Sequence, residues 1–143
     1  MIATGALVTV SVSRTLKGQP EQVFDAWIDQ EKIGQWIGAP GRQQGVRVEV
    51  DAQVGGKFSF VNLSNVKEII HFGEYFEISR PRRLVFSWGS AGQPIGNGRV
   101  TLDIGRERDG TLLQLVHTGA RSNLAEATEM RWREIITTIA GLL

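Results

Sequence analysis

Hydrophobic and polar residues alternate along most of this chain, and such alternation is typical of β-strands packed on one face. Val8, Val10 and Val12 alternate with threonine and serine, which predicts a half-buried strand near the amino terminus. From residue 46 to residue 117 similar alternation predicts six further strands between turn-forming residues. The connections are too short for parallel crossovers, so we expect one antiparallel sheet. The predicted inner-face positions of these six strands are Val46, Val48, Val50, Phe58, Phe60, Ile70, Phe72, Phe76, Ile78, Leu84, Phe86, Trp88, Val100, Leu102, Ile104, Leu113, Leu115 and His117.

Helical spacing follows the first strand and returns at the end of the chain. Pro20 suits the first turn of a short helix, whose hydrophobic face carries Val23, Phe24, Trp27 and Ile28. Asp29 has the side chain of an N-cap for a second helix that ends near Trp36. The last helix should run to about Ala140 and turn a hydrophobic stripe toward the sheet. This stripe consists of Trp132, Ile135, Ile136, Ile139 and Leu143.

The order of these elements is β-α-α-β-β-β-β-β-β-α, which predicts an α+β fold. We expect a curved antiparallel sheet of about seven strands around a long C-terminal helix, with two short helices after the first strand. At 143 residues the chain has the length of one domain, which we assign to residues 1–143.

Composition narrows the classes of function. Hydrophobic residues make up 41% of the chain and charged residues 22%, which is typical of a folded globular protein. The net charge of +1 does not indicate nucleic-acid binding. No hydrophobic run approaches the ~18 apolar residues of a membrane-spanning helix. Without cysteine the chain has neither a disulfide framework nor a thiolate metal site, and we expect a cytoplasmic protein.

Eight segments and single residues follow one another in a characteristic order along the chain: Pro20–Phe24, Trp27, Trp36, Asp51–Phe58, Gly73–Ile78, Pro81–Trp88, Gly110–His117 and Trp132–Leu143. Their order and spacing resemble the START-like helix-grip (SRPBCC) superfamily, and in particular the branch related to Aha-type activators of a heat-shock chaperone ATPase. The resemblance implies a helix-grip fold. Arg131-Trp132 departs from the Gly-Trp pair that this family often carries in its last helix, which would change how closely the helix approaches its neighbours.

A hollow between the concave sheet and the C-terminal helix is where we expect the function to reside. Inner-face residues would line the hollow, a small and mostly apolar or amphipathic molecule would fill it, and segments 89–98 and 117–122 would form its gate. The predicted lining residues are Trp36, Phe58, Phe60, Phe72, Phe76, Phe86, Trp88, Leu115, His117, Trp132 and Ile136.

Two side chains predicted in this hollow have acid-base chemistry. Glu74 shares the strand parity of Phe72 and Phe76, so a regular strand would aim its carboxylate inward, where burial would raise its pKa. The alternatives are a bulge near Gly73 that turns Glu74 outward, or a pairing of Glu74 with an arginine such as Arg99. His117 either meets a polar group of the ligand or is a core histidine that holds the adjacent loop.

Other kinds of site find little support in the sequence. His71 falls on the strand face opposite Phe72, together with Tyr75, and is expected to face solvent. No histidine has metal-ligand spacing, and there is no nucleophile elbow or phosphate-binding loop. We therefore expect neither a metal nor a cofactor.

The sequence favours ligand binding over catalysis because it carries no nucleophile, metal cluster or cofactor motif. One alternative is a polyketide-type cyclase or dehydratase, a class found among helix-grip proteins, with Glu74 or His117 as its acid-base residue. A second alternative is a chaperone-interaction module, as the resemblance to the activators implies. Whether the chain forms a homodimer is left open.

Overall fold

The computed structural model describes residues 6–37, 46–63, 68–90 and 98–143. These residues form the predicted order of elements, so the predicted α+β fold is confirmed. The elements are β1 (Leu7–Leu16), α1 (Pro20–Ile28), α2 (Gln30–Ile37), β2 (Val46–Val50), β3 (Lys57–Leu63), β4 (Glu68–Ser79), β5 (Arg83–Ser90), β6 (Gly98–Glu107), β7 (Gly110–Arg121), a short 3-10 turn (Ser122–Leu124) and α3 (Ala125–Leu142).

All seven strands belong to one curved antiparallel sheet in the order β1-β7-β6-β5-β4-β3-β2. Hairpin neighbours pair from β2 to β7, and the first strand joins the last, from Leu7 opposite Arg121 to Leu16 opposite Thr111. Helix α3 packs against β1 and β7, whereas α2 packs against β2 at the other edge of the sheet. The two short helices and the long helix therefore share the concave side.

Local sequence signals position the two short helices. Pro20 begins α1, where its missing N–H is not needed. Asp29 Oδ1 accepts the backbone N–H of Glu31 at 2.9 Å, which confirms the predicted N-cap of α2. Arg80, in the turn after β4, donates to both carboxylate oxygens of Asp25 at 2.8 and 2.9 Å and so ties α1 to the sheet.

Strand β4 does not keep the alternation that its sequence suggests. A β-bulge between Tyr75 and Glu77 inserts one residue into the strand. Tyr75 is 2% exposed, whereas Phe72 ahead of the bulge and Phe76 within it are 48% and 39% exposed. The prediction that Phe72 and Phe76 share the inner face with Ile78 is therefore wrong, because one inserted residue reverses the parity of a strand.

The core fills the space between the concave face of the sheet and α3. Trp132, Ile135, Ile136 and Ile139 are each at most 2% exposed, as the predicted stripe requires, but Leu143 at its end is 38% exposed. Full burial of each such side chain contributes about 1.5–3 kcal/mol. None of the described helices is long and apolar enough to cross a lipid bilayer.

Candidate functional site

An aromatic hollow lies between helices α1 and α2 on one side and strands β3, β4 and β5 on the other. Its volume, measured as the space open to the centre of a water molecule, is about 10 Å³. That is room for about one water molecule. Seven aromatic side chains line it: Trp27, Trp36, Phe58, Phe60, Tyr75, Phe86 and Trp88.

The wall of the hollow is built around Phe58. Its ring centroid lies 4.9 Å from that of Phe60, 5.3 Å from that of Tyr75 and 5.6 Å from that of Phe86, within the range of favourable aromatic pairs. Gly73 makes this packing possible, because a Cβ there would lie 2.3 Å from the Phe58 ring. The hollow is thus the small space left by tightly packed rings.

Two indole groups in the wall differ in their hydrogen bonding. Trp36 Nε1 donates to the carbonyl oxygen of Ala26 at 2.7 Å, which anchors α2 to α1. Trp27 Nε1 is buried and has no hydrogen-bond partner among the described residues. An unpaired buried donor costs about 1–3 kcal/mol. Trp27 therefore offers a hydrogen bond to any acceptor that reaches it.

His117 is a buried core histidine. It is 3% exposed, and its Nδ1 accepts the indole N–H of Trp132 at 2.9 Å. Burial lowers the pKa of His117 by disfavouring the charged ring, so the neutral form carries its proton on Nε2. Nε2 is buried, finds no partner in the described part of the chain, and lies close to Gly98, where a Cβ would approach it to 2.7 Å. His117 thus orients Trp132 from behind the hollow.

Glu74 lies outside the hollow. Ahead of the bulge it alternates with the buried Tyr75 and so stands on the outer face, and its backbone N–H donates to Ser87 Oγ at 2.9 Å. The prediction of an inward-facing acid at Glu74 is wrong for the same reason as the prediction for Phe72 and Phe76. Glu74 instead faces outward, and the bulge responsible lies after Tyr75 rather than at Gly73.

His71 takes an inner position instead, so the prediction that it faces solvent is wrong. Its ring stacks on Trp88 with centroids 4.9 Å apart and planes 18° apart. Burial, and then the positive charge of Arg131, lower the pKa of His71 from 6.5 to about 4. The ring is therefore neutral at pH 7.

The predicted lining residues divide into three groups. Trp36, Phe58, Phe60, Phe86 and Trp88 come together around the hollow. The remaining predicted residues lie on the outer face of the sheet or in the solid core around α3. The outer pair is Phe72 and Phe76, and the core group is Leu115, His117, Trp132 and Ile136.

The hollow lies beneath α1 and α2 rather than beneath α3 as predicted. Trp132 closes the space under α3, with its ring centroid 5.0 Å from Trp88 and 6.2 Å from Trp27. The prediction of a gate at residues 117–122 is wrong, because residues 117–121 continue strand β7 instead of forming a loop. Of the other gate segment, residues 91–97 lie outside the described residues.

Sequence reasoning missed two residues of the wall, Trp27 and Tyr75. Trp27 was assigned to the buried face of α1, but its place at the hollow depends on how α1 crosses the sheet. Tyr75 was assigned to the wrong face because the bulge was not foreseen. One signal was available, since a strand glycine often marks close packing and Gly73 has the parity of Tyr75.

Comparison with known proteins identifies the family. The family model described as Activator of Hsp90 ATPase homolog 1-like protein matches residues 17–143. The chain belongs to this family. The resemblance to the START-like helix-grip superfamily is thereby confirmed. No curated protein sequence matches the chain significantly.

Several solved structures share the fold over nearly the whole of this chain. Protein Mll3558 from Rhizobium loti has a TM-score of 0.85 at 24% identity, covering 96% of this chain and 98% of that one. Protein CV1439 from Chromobacterium violaceum has a TM-score of 0.79 at 22% identity, covering 94% and 95%. CalU16 from Micromonospora echinospora has a TM-score of 0.70 at 22% identity, covering 96% and 77%. At these identities the likeness shows the fold alone.

Proposed function

We propose that this chain binds a small, mostly apolar molecule in the aromatic hollow and does so in the cytoplasm. The observation that carries the proposal is the indole N–H of Trp27, which is buried in the aromatic wall without a partner among the described residues. A ligand with a flat apolar body and one acceptor oxygen suits such a wall. Its body packs on the rings, and its oxygen accepts the Trp27 N–H.

The small volume of the hollow sets the energetics of binding. A guest larger than one water molecule has to displace lining side chains, so part of the binding free energy is spent on opening the wall. Removing about 200 Å² of apolar ligand surface from water contributes about 5 kcal/mol before that cost. Since the cost of opening the wall is subtracted from this contribution, we expect affinities near the millimolar range, at about 4 kcal/mol of net binding free energy.

Two matched probes test the proposal. 2-Acetylnaphthalene carries a carbonyl oxygen, and 2-ethylnaphthalene has nearly the same shape without it. Titrations followed by two-dimensional NMR should shift the indole signals of Trp27, Trp36 and Trp88 in a saturable way. The ketone should also move the Trp27 N–H signal downfield, which the hydrocarbon does not.

A pair of variants separates binding in the hollow from general loosening of the core. Phe86→Leu changes a lining residue and should alter the affinity for the ketone at least about threefold, which is the scale of one methylene group. Phe24→Leu makes the same change at a residue that is 0% exposed and is not part of the wall, and should leave the affinity unchanged. Absence of saturable binding by both probes, up to their solubility limits, would overturn the proposal.

Catalysis is less well supported by the geometry. Of the two acid-base candidates, Glu74 stands on the outer face, and His117 is separated from the hollow by Trp132. Neither is placed to exchange a proton with a molecule among the lining rings. The proposed role is therefore binding.

A second candidate function is interaction with an Hsp90-type chaperone. It is supported by the description of the family as activators of the Hsp90 ATPase and by the exposed Phe72 and Phe76 on the outer face. The guanidinium of Arg99 lies 4.6 Å from the centroid of the Phe76 ring and adds a charge to this apolar patch. The chaperone's ATP hydrolysis rate, measured with and without the chain, tests this role. An unchanged rate, together with no complex in light scattering, would remove it.

A further inference from the structure

A positively charged side chain lies at the end of α2, the helix that carries the lining residue Trp36. Arg131 of α3 reaches the end of α2, where its Nη2 donates to the carbonyl oxygen of Ile37 at 3.4 Å. Its Nη1 lies 3.6 Å from Glu134 Oε2 in an ion pair between exposed groups. Both distances exceed the 2.7–2.9 Å of charge-assisted hydrogen bonds. The Arg131 side chain, which is 44% exposed, therefore keeps capacity for a stronger partner.

The neighbours of Arg131 place its charge at the rim of the hollow. Ile37, which it contacts, follows directly on the lining residue Trp36. The charge of Arg131 also acts on His71, whose ring stacks on the lining residue Trp88. The guanidinium thus lies at the end of α2 and near His71 of β4, and these two neighbours adjoin the lining residues Trp36 and Trp88; we call this region the rim of the hollow.

The geometry points to this rim as a binding site for the carboxylate of a ligand, and we infer that the molecule taken up by the hollow is an aromatic or similarly flat carboxylic acid. This inference rests on the proposed function and specifies the ligand class. Arg131 presents paired N–H donors that fit the two oxygens of a carboxylate. Glu134, its present partner, is 64% exposed and can turn into water at little cost.

The position of Arg131 also fits an amphipathic ligand energetically. A carboxylate at the half-exposed rim keeps part of its hydration, so it avoids the penalty of full burial. The flat apolar part of the same molecule would extend among the rings toward Trp27. A cationic ligand head would instead be repelled by Arg131, so the rim selects against it.

A matched pair of probes tests this inference. 2-Naphthoate and 2-naphthamide have nearly the same shape, but only the naphthoate is charged at pH 7.5. At low ionic strength we expect the naphthoate to bind about fivefold more tightly than the amide in calorimetric or NMR titrations, because a half-exposed charge pair adds up to about 1 kcal/mol. The preference should shrink as salt is added.

Variants locate the origin of the preference. Arg131→Met keeps much of the side-chain length and should remove the preference while leaving the amide affinity unchanged. Arg133→Met is the control, since Arg133 lies on the same helix, is 56% exposed and pairs only loosely with Glu129 at 3.8 Å. It should leave the preference intact.

The outcomes separate this inference from the proposed function. Equal binding of naphthoate and naphthamide by the parent, or a preference that survives Arg131→Met, overturns the carboxylate site while leaving the hollow as a binding site. Loss of amide binding in Arg131→Met would also overturn it, because Arg131 would then act on the packing of the wall. Failure of both probes, together with failure of 2-acetylnaphthalene, overturns the proposed function itself.

Discussion

Because the indole of Trp132 donates a hydrogen bond to His117, substitutions at these two residues should have non-additive effects on the free energy of unfolding. The hydrogen bond is 2.9 Å long, and both side chains are at most 3% exposed. Trp132→Phe leaves His117 Nδ1 buried without its donor, and His117→Leu leaves the Trp132 N–H without its acceptor. Each orphaned group costs about 1–3 kcal/mol, in addition to any loss of packing.

The double variant leaves neither group orphaned. We therefore expect it to cost about 2–6 kcal/mol less than the sum of the two single variants, because both orphan costs disappear. His117→Leu also removes the unpaired Nε2, but that gain occurs in both the single and the double variant and cancels in the cycle. Complete truncation by Trp132→Ala should be worse than Trp132→Phe, at about 3–5 kcal/mol.

Urea unfolding at pH 7.5 measures these free energies, with unchanged slopes required before the midpoints are compared. Thr111→Val provides the control, since the Thr111 hydroxyl is buried and bonded to the carbonyl of Gly18. It lies six residues from His117 along β7, about 20 Å away. Trp132→Phe and Thr111→Val should add to within about 0.5 kcal/mol. If the costs of Trp132→Phe and His117→Leu also add to within about 0.5 kcal/mol in the double variant, the coupling is refuted.

Three further predictions concern pH, packing and surface charge. Since the pKa of His71 falls from 6.5 in the unfolded chain to about 4 on folding, stability should drop by up to about 3 kcal/mol between pH 6.5 and 4, and His71→Gln should lose this component in urea titrations at several pH values. Gly73→Ala should cost more than about 2 kcal/mol in thermal unfolding because its Cβ would overlap a ring and a carbonyl, while Gly105→Ala, with open space around it, should be nearly neutral. Asp25→Asn should cost at most about 1 kcal/mol, because Arg80 is half exposed, and a larger loss in urea unfolding would contradict the surface assignment.

The fold could be predicted from the sequence because each signal that defines it is local. The alternation of β1 and β5 to β7, the proline at the start of α1 and the stripe of α3 all depend on neighbours within a few residues. The wrong face assignments within the sheet all came from β4. Its bulge shifts the register by a single residue, and such a shift leaves no mark in a pattern that has apolar residues on both parities.

The candidate site was predictable only in part, for the same physical reason. Phe58, Phe60, Phe86 and Trp88 were found because strand parity decides which face they occupy. Tyr75 and His71 were misplaced by the bulge, and Trp27 was recognised as buried but not as part of the wall. The place of Trp27 at the wall depends on how α1 crosses the sheet, which no local pattern reveals.

The sequence by itself determined the family, the order of the elements and the hydrophobic character of the inner face, since periodicity and turn residues act over short range. Only the tertiary structure decided where space remains. Trp132 fills the region under α3, so the hollow lies under α1 and α2 instead. Arg131 of α3 reaches the end of α2 because these two helices, which are distant in sequence, are in contact. A cavity is what close packing leaves over, and packing is a property of all the elements together.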